Sequence, residues 1–199
     1  MNSSDDEGFM RRCIRRGMQA CDEGELPIGA LIASGSRILA EAANSVRASG
    51  RLTAHAEIIA IEAAQGRAGS RFLSGATLYT SLEPCPMCAF LIREAGITRV
   101  VYALTSPVMG GLSHWDVLRD KGLSEALPEV FGPVPEVVSG LLASEAERAW
   151  RQCHPLIWAT MEHRGCISKG AEGQGCEVMA GEPERHHLLR TLGRLSGML

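Results

Sequence analysis

The sequence predicts an α/β fold, a three-layer α/β/α sandwich with a central mixed sheet. Two observations predict it. Short apolar runs of strand length, at residues 27–33, 37–42, 76–80 and 98–103, alternate with stretches of helical length and periodicity. The chain has 199 residues, of which 45% are hydrophobic and 22% charged. That suits a single domain able to bury roughly 70% of the surface its unfolded form exposes.

The elements follow in order. Residues 9–21 carry Phe9, Met10, Cys13, Ile14, Gly17 and Met18 with arginines between them, an amphipathic helix. Residues 27–33 and 37–42 are apolar runs split by Ser34-Gly35-Ser36, a hairpin. Residues 43–52 read as a polar loop. Thr53 is positioned to cap a helix reaching about Gln65, with Ile58, Ile59, Ile61 and Ala63 or Ala64 inward. Residues 76–80 form a strand. A helix opens near Cys85, runs to about Ala95 and stops at Gly96. Residues 98–103 form the next strand. Ser144 and Glu147 have capping-box spacing for a helix that Pro155 interrupts.

The domain is expected over residues 1–163. From Arg164 the character changes. Five glycines fall at 165, 170, 173, 175 and 181, so residues 164–199 read as a Gly-rich tail. Leu188, Leu189, Leu192 and Leu195 give it a possible short terminal helix.

Composition narrows the function classes. The net charge of −3 does not build in a surface that binds nucleic acid through bulk charge. No apolar run approaches the ~20 residues that cross a bilayer. The polar, acidic first eight residues do not resemble a targeting peptide, so the expected compartment is the cytoplasm. Seven cysteines stand at 13, 21, 85, 88, 153, 166 and 176. An odd number at irregular spacing is a poor disulfide framework, and Cys13, Cys21 and Cys153 read as small buried hydrophobes.

Two segments carry chemistry: Thr53-Ala54-His55-Ala56-Glu57 and Leu82-Glu83-Pro84-Cys85-Pro86-Met87-Cys88. A Cys-x-x-Cys at a helix start brings two sulfurs to the positive helix end, which favours thiolates. Alone, the pair fits a redox dithiol, half a structural zinc site, or two helix-start residues. His55 adds a third ligand type. One His and two Cys leave the fourth tetrahedral position of a Zn2+ ion for water. Glu57, two residues past the histidine, is a carboxylate placed to move that water's proton. A closed structural site would need a fourth ligand, for which Cys153, His154 and His163 are candidates. A non-catalytic scaffold is the other bland reading.

H-x-E followed after 26 residues by P-C-x-x-C matches the signature of zinc nucleobase deaminases. Further matching stretches are Leu26-Pro27-Ile28-Gly29-Ala30, Asn44, residues 77–89 and Arg99-Val100-Val101-Tyr102. Over residues 24–103 the chain resembles the cytidine deaminase-like superfamily, in the branch of bacterial tRNA-adenosine deaminases, guanine deaminases and yeast-type cytosine deaminases. The resemblance implies one Zn2+ per chain held by His55, Cys85 and Cys88, with Glu57 as the catalytic proton shuttle. It implies that Asn44 hydrogen-bonds the heterocycle, that the backbone at Ala56 and Glu83 faces the reacting edge, and that Ile28 lines the apolar side. It also implies a homodimer and hydrolytic loss of an exocyclic amine as ammonia.

The chain departs from the tRNA-acting pattern. Thr105 and Ser106 stand where an aspartate is usual, Leu52 where proline is common, and Phe90 where a glycine is favoured. Phe90 is therefore expected to crowd the helix–sheet contact or reshape the pocket. Residues 144–154 are mixed in charge rather than basic. These departures favour a small nitrogen heterocycle, with tRNA adenosine as the alternative. They make residues 109–116, with His114 and Trp115, the expected specificity loop.

Overall fold

Strand residues alternate faces with a period of two, and the two sets of side chains enter two different cores. In β1 (Gly29–Ser34), Ala30 and Ile32 face one way and Leu31 and Ala33 the other. The same holds for Leu78 against Tyr79 in β3 (Thr77–Leu82), and for Val100 and Tyr102 against Val101 and Ala103 in β4 (Arg99–Leu104). With β2 (Arg37–Ala43) and β5 (Glu136–Val138) these strands form one five-stranded sheet in the order β2-β1-β3-β4-β5. β1 is antiparallel to both β2 and β3, and β3, β4 and β5 run parallel. The computed structural model describes residues 3–169.

One face of the sheet is covered by α3 (Ala56–Ala68) and α4 (Pro86–Glu94), through Ala56, Ala60, Ile61, Ala64, Ala89 and Ile92. The other is covered by α1 (Ser3–Cys21), α6 (Ala143–Cys153) and α7 (Pro155–His163), through Met10, Cys13, Ile14, Trp150 and Trp158. The expected three layers and mixed sheet are therefore present. At the α1–β1 contact two backbones touch: a Cβ on Gly29 would strike the Cys13 carbonyl oxygen and come within 2.8 Å of Gly17 N. Only glycine permits that approach.

Local expectations are corrected at several ends. α1 begins at Ser3, six residues earlier than expected, because Asp5 and Asp6 suit the positive end of a helix. The loop at 43–52 holds a short helix, α2 (Val46–Ser49), closed by Gly50 at φ 65°. Thr53 does not cap α3; His55 occupies that corner with extended φ −72°, ψ 147°, and its carbonyl accepts the first helical bond from Ile59 N at 3.0 Å. Ile58 and Ile61 are buried as expected, while Ile59 is partly buried and Ala63 is exposed. The spacing at Ser144 and Glu147 is no capping box. α6 is capped by Leu142 at φ 57°, and Glu147 pairs instead with Arg151 at 2.7 Å and Lys169 at 2.6 Å. α5 (Lys121–Ala126) and β5 are elements that no pattern in the sequence announces; Asp120 caps α5 by accepting Leu123 N at 3.2 Å.

Phe90 does not crowd the sheet. It points outward, 42% exposed, and meets Phe131 edge-on at 5.7 Å, while its neighbour Ala89 takes the core position. Cys21 and Cys153 are not buried hydrophobes; they are joined as a disulfide between the C-terminal ends of α1 and α6. Cys13 is buried, as expected. Residues 164–169 continue onto the domain: Ile167 is buried, and Ser168 makes a two-way backbone bridge with Thr105 at 2.8 and 2.9 Å. The expected tail beyond Lys169 and its leucine-rich helix lie outside the described residues.

Candidate active site

Two helix starts converge beside the ends of β1 and β3. His55 caps α3 and Cys85 caps α4, with Pro86 in the first helical position, where its missing N–H costs nothing. Cys88 lies in the first turn of α4. The adjacent turns bring His55 Nδ1 within 3.6 Å of Cys85 Sγ and 3.5 Å of Cys88 Sγ, and the two sulfurs within 3.6 Å of each other. A tetrahedral Zn2+ with ordinary Zn–N and Zn–S bonds needs edges of about 3.6 Å and about 3.8 Å. The donor set therefore fits that ion. Among the described residues, no fourth His, Cys, Asp or Glu joins this group. Cys153 is in its disulfide and His154 Nε2 bonds the Glu25 carbonyl at 2.8 Å.

Proton affinities follow from the same geometry. The hydrogen bond from Cys88 brings Cys85 down to about 4 against the opposing effect of burial, with help from His55. Cys88, as donor in that bond and fully buried, moves far up. The bond with Cys85 raises His55 despite its burial. The cluster is thus a nest of partly ionised soft donors, the charge pattern that a divalent cation neutralises.

Glu57, one residue into α3 and 4% exposed, lies against this triangle. Its Oε1 accepts from Thr80 Oγ1 at 3.2 Å, and its Oε2 is 3.7 Å from Cys88 Sγ. Burial pushes its pKa above the usual carboxylate value. A cleft of about 280 Å³ opens over His55, Glu57 and Cys85. Its other walls include Glu25, Ile28, Asn44, Arg47 and Glu83.

The profile of the cytidine and deoxycytidylate deaminase zinc-binding region matches residues 3–104, just over half of the chain. The chain belongs to this deaminase family. It is 35% identical to the tRNA-specific adenosine deaminase of Bacillus subtilis over 141 residues, covering 70% of this chain and 87% of that one. It is 38% identical over 128 residues to the tRNA(Ile)-lysidine synthase of Deinococcus deserti, covering 64% of this chain and spanning only 22% of that protein. A solved structure from work on A-to-I editing by tRNA:A34 deaminases superimposes with a TM-score of 0.62 at 34% identity, covering 71% of this chain and 98% of that one.

Within the family domain, the structure brings His55, Glu57, Cys85, Asn44, Ile28 and Glu83 to one cleft, with Cys88 completing the donor triangle. Ala56 lies fully buried at the start of α3, between His55 and Glu57. His114 and Trp115 are not among the cleft-lining residues. Both are exposed, with their rings edge-on to each other at 4.9 Å. The loop that carries them is nevertheless tied to the site through the Glu83 side chain. That buried carboxylate accepts from Ser106 N, Leu112 N, Ser113 N and Ser113 Oγ at 2.7 to 3.1 Å. Gly111 N also bonds the Pro84 carbonyl at 2.7 Å. Sequence reasoning named Glu83 for its backbone and missed this role of its side chain. It also missed Glu25, which is 1% exposed at the cleft wall. Its only sequence signal is its place directly before Leu26-Pro27-Ile28-Gly29.

Proposed function

We propose that this protein is a hydrolytic deaminase that replaces an exocyclic ring amine with a carbonyl and releases ammonia, with water as co-substrate. The observation that carries this reading is the triangle of His55, Cys85 and Cys88 at 3.5 to 3.6 Å with the Glu57 carboxylate against it. A zinc ion held there supplies a Lewis acid that makes water a nucleophile near neutral pH. Glu57 Oε2, which faces the cluster, carries one proton of the attacking water to the ring nitrogen as the C–O bond forms, and then the remaining hydroxyl proton to the amine, which leaves as ammonia as the C–N bond breaks. Thr80 Oγ1 holds the other oxygen of that carboxylate in place. Asn44 and the backbone at Glu83 hold the ring edge, and Ile28 meets its apolar face. His114 and Trp115 act at the mouth, on the loop that Glu83 anchors.

Adenosine in tRNA is the first substrate to test, because tRNA adenosine deaminases about one third identical to this chain align over most of their length. Arg47 at the cleft wall and exposed Arg51 are available to phosphates. A small aminated base or nucleoside is the second reading, favoured by the pairing of several arginines with carboxylates. Arg11 pairs with Glu145, Arg12 with Glu41, Arg119 with Asp116 and Arg151 with Glu147. Exposed Met87 and Phe90 on α4 offer apolar surface for the homodimer that the family resemblance implies. Among the described residues no helix is long and apolar enough to span a membrane.

The test is a panel of aminated bases, nucleosides and a tRNA with adenosine at the wobble position, read by ammonia release and inosine content. Zinc-dependent ammonia release from any member supports the activity. Inosine formation that weakens steeply with salt selects tRNA. A zinc-loaded protein that deaminates nothing on the panel overturns the proposal.

A further inference from the structure

Glu25 is a buried carboxylate whose two oxygens both have fixed partners. Oε2 accepts from Asn44 Nδ2 at 2.7 Å, and Oε1 accepts from Ala48 N at 2.8 Å, inside α2. Its own carbonyl is held by His154 Nε2 at 2.8 Å. The backbone around it is therefore pinned from α6–α7 while its side chain reaches the cleft wall. An ionised carboxylate has no hydrogen to give. Facing it, the Asn44 amide has only one favourable orientation, with its nitrogen toward Glu25. Asn44 is itself 8% exposed, and its backbone N bonds the Ile28 carbonyl at 2.9 Å. The amide is thus fixed at both its backbone and its nitrogen.

We infer that Glu25 is a positioning residue that sets the hydrogen-bonding polarity Asn44 presents to the substrate ring. The inference rests on the proposed role of Asn44 as the ring contact. Through Ala48 N the same carboxylate also holds α2, which carries Val46 and Arg47 at the cleft. One buried acid thus sets both the orientation of the contact and the position of the wall beside it.

Glu25→Gln tests the inference. The glutamine keeps one oxygen for Ala48 N and turns an N–H2 toward Asn44, which then gains by rotating its amide end for end. The probe is a tRNA anticodon stem-loop with adenosine at the wobble position, with adenosine and guanine as small-molecule arms. Expected for the active arm is a rise in KM of about 10–100-fold, the weight of a charge-assisted hydrogen bond. Turnover should stay within about threefold, and bound zinc should be unchanged. Asn44→Ala should raise KM similarly, and the double variant should be no worse than Asn44→Ala alone.

If Glu25→Gln leaves KM unchanged, or if the two losses multiply in the double variant, the inference fails. If Asn44→Ala itself leaves KM unchanged, the underlying reading of Asn44 fails. Where Glu25→Gln does not fold, Glu25→Gln with Asn44→Asp restores a hydrogen bond of reversed direction. That pair should recover the fold and zinc while KM stays high. Recovery of KM together with the fold would show a merely structural role and overturn the inference.

Discussion

A methyl group at Gly110 tests how the active-site loop is held. A Cβ built there falls on the Glu83 carboxylate, overlapping Cδ and Oε1 and lying 2.5 Å from Oε2. A glutamate tip on the surface would swing aside at little cost. This one is 3% exposed and accepts four hydrogen bonds from residues 106–113. Bonds to a charged acceptor contribute about 1.5–3 kcal/mol each. Losing two of the four costs about 3–6 kcal/mol, offset by roughly 0.4–1 kcal/mol from the reduced freedom of the unfolded alanine chain. Gly110→Ala should therefore destabilise by about 2–5 kcal/mol and lower Tm by roughly 5–20 °C. Glu83 leads directly into Pro84-Cys85, so zinc affinity in a chelator competition should fall as well. Gly8→Ala is the control: Gly8 is an exposed position in α1 with nothing within 4 Å of the new methyl. It should leave Tm unchanged or raise it. A Gly110→Ala protein melting within 2 °C of its parent, by about the same margin as the control, would refute the argument.

Other outcomes follow from the same coordinates. Glu57→Gln should keep zinc and lower the rate of ammonia release by about 10²–10⁴-fold, without loss of thermal stability, since it removes a charge from a buried site; a loss below tenfold would remove Glu57 from proton transfer. Burial opposes ionisation of Asp6, but hydrogen bonds from Arg99 and Tyr79 outweigh it and hold the carboxyl below 3.8. Its contribution is complete above about pH 4 and lost as pH falls through the lower folded value, so Asp6→Asn should cost roughly 1.5–3 kcal/mol at pH 7 and show a shallower acid-side decline in urea midpoints. Cys21→Ser should lower the stability of the oxidised protein by roughly 2–5 kcal/mol, the effect of closing a loop with a sequence separation of 132 residues, and should change little under reductant. Identical melts of the parent with and without reductant would contradict that.

The parts legible in the sequence are those written in local pattern. Unbroken apolar runs at residues 30–33 and 100–103 announce strands with both faces buried, and these strands lie inside the sheet on either side of β3. The His55, Glu57 and Cys85–Cys88 spacings survive folding because each lies within one turn of a helix start. Thr53 outranks histidine as a cap in isolation, yet His55 takes the corner, and its Nδ1 joins the sulfurs. β5 has three residues, too few for any periodicity to show. The disulfide joins positions 132 residues apart, and no spacing rule connects them. Glu25 sits in Asp22-Glu23-Gly24-Glu25, a run that reads as solvated turn. Its burial comes from α2 and His154 closing over it, both distant in sequence.

Three buried glutamates surround the cleft, and their hydrogen bonds divide the labour. Glu83 accepts four bonds, three of them from backbone amides, and holds a loop. Glu25 accepts an amide side chain and a backbone amide, and orients a contact. Glu57 has a hydroxyl at 3.2 Å on one oxygen, while the other faces sulfur at 3.7 Å. Its bonds are the longest of the three, and it sits against the candidate metal ligands. A group that must accept and release protons within a single turnover cannot be held by strong donors in one state. The long hydrogen bonds of Glu57 therefore suit the proton shuttle proposed for it, and added donors at Oε2 would be expected to slow ammonia release even with the candidate zinc ligands untouched.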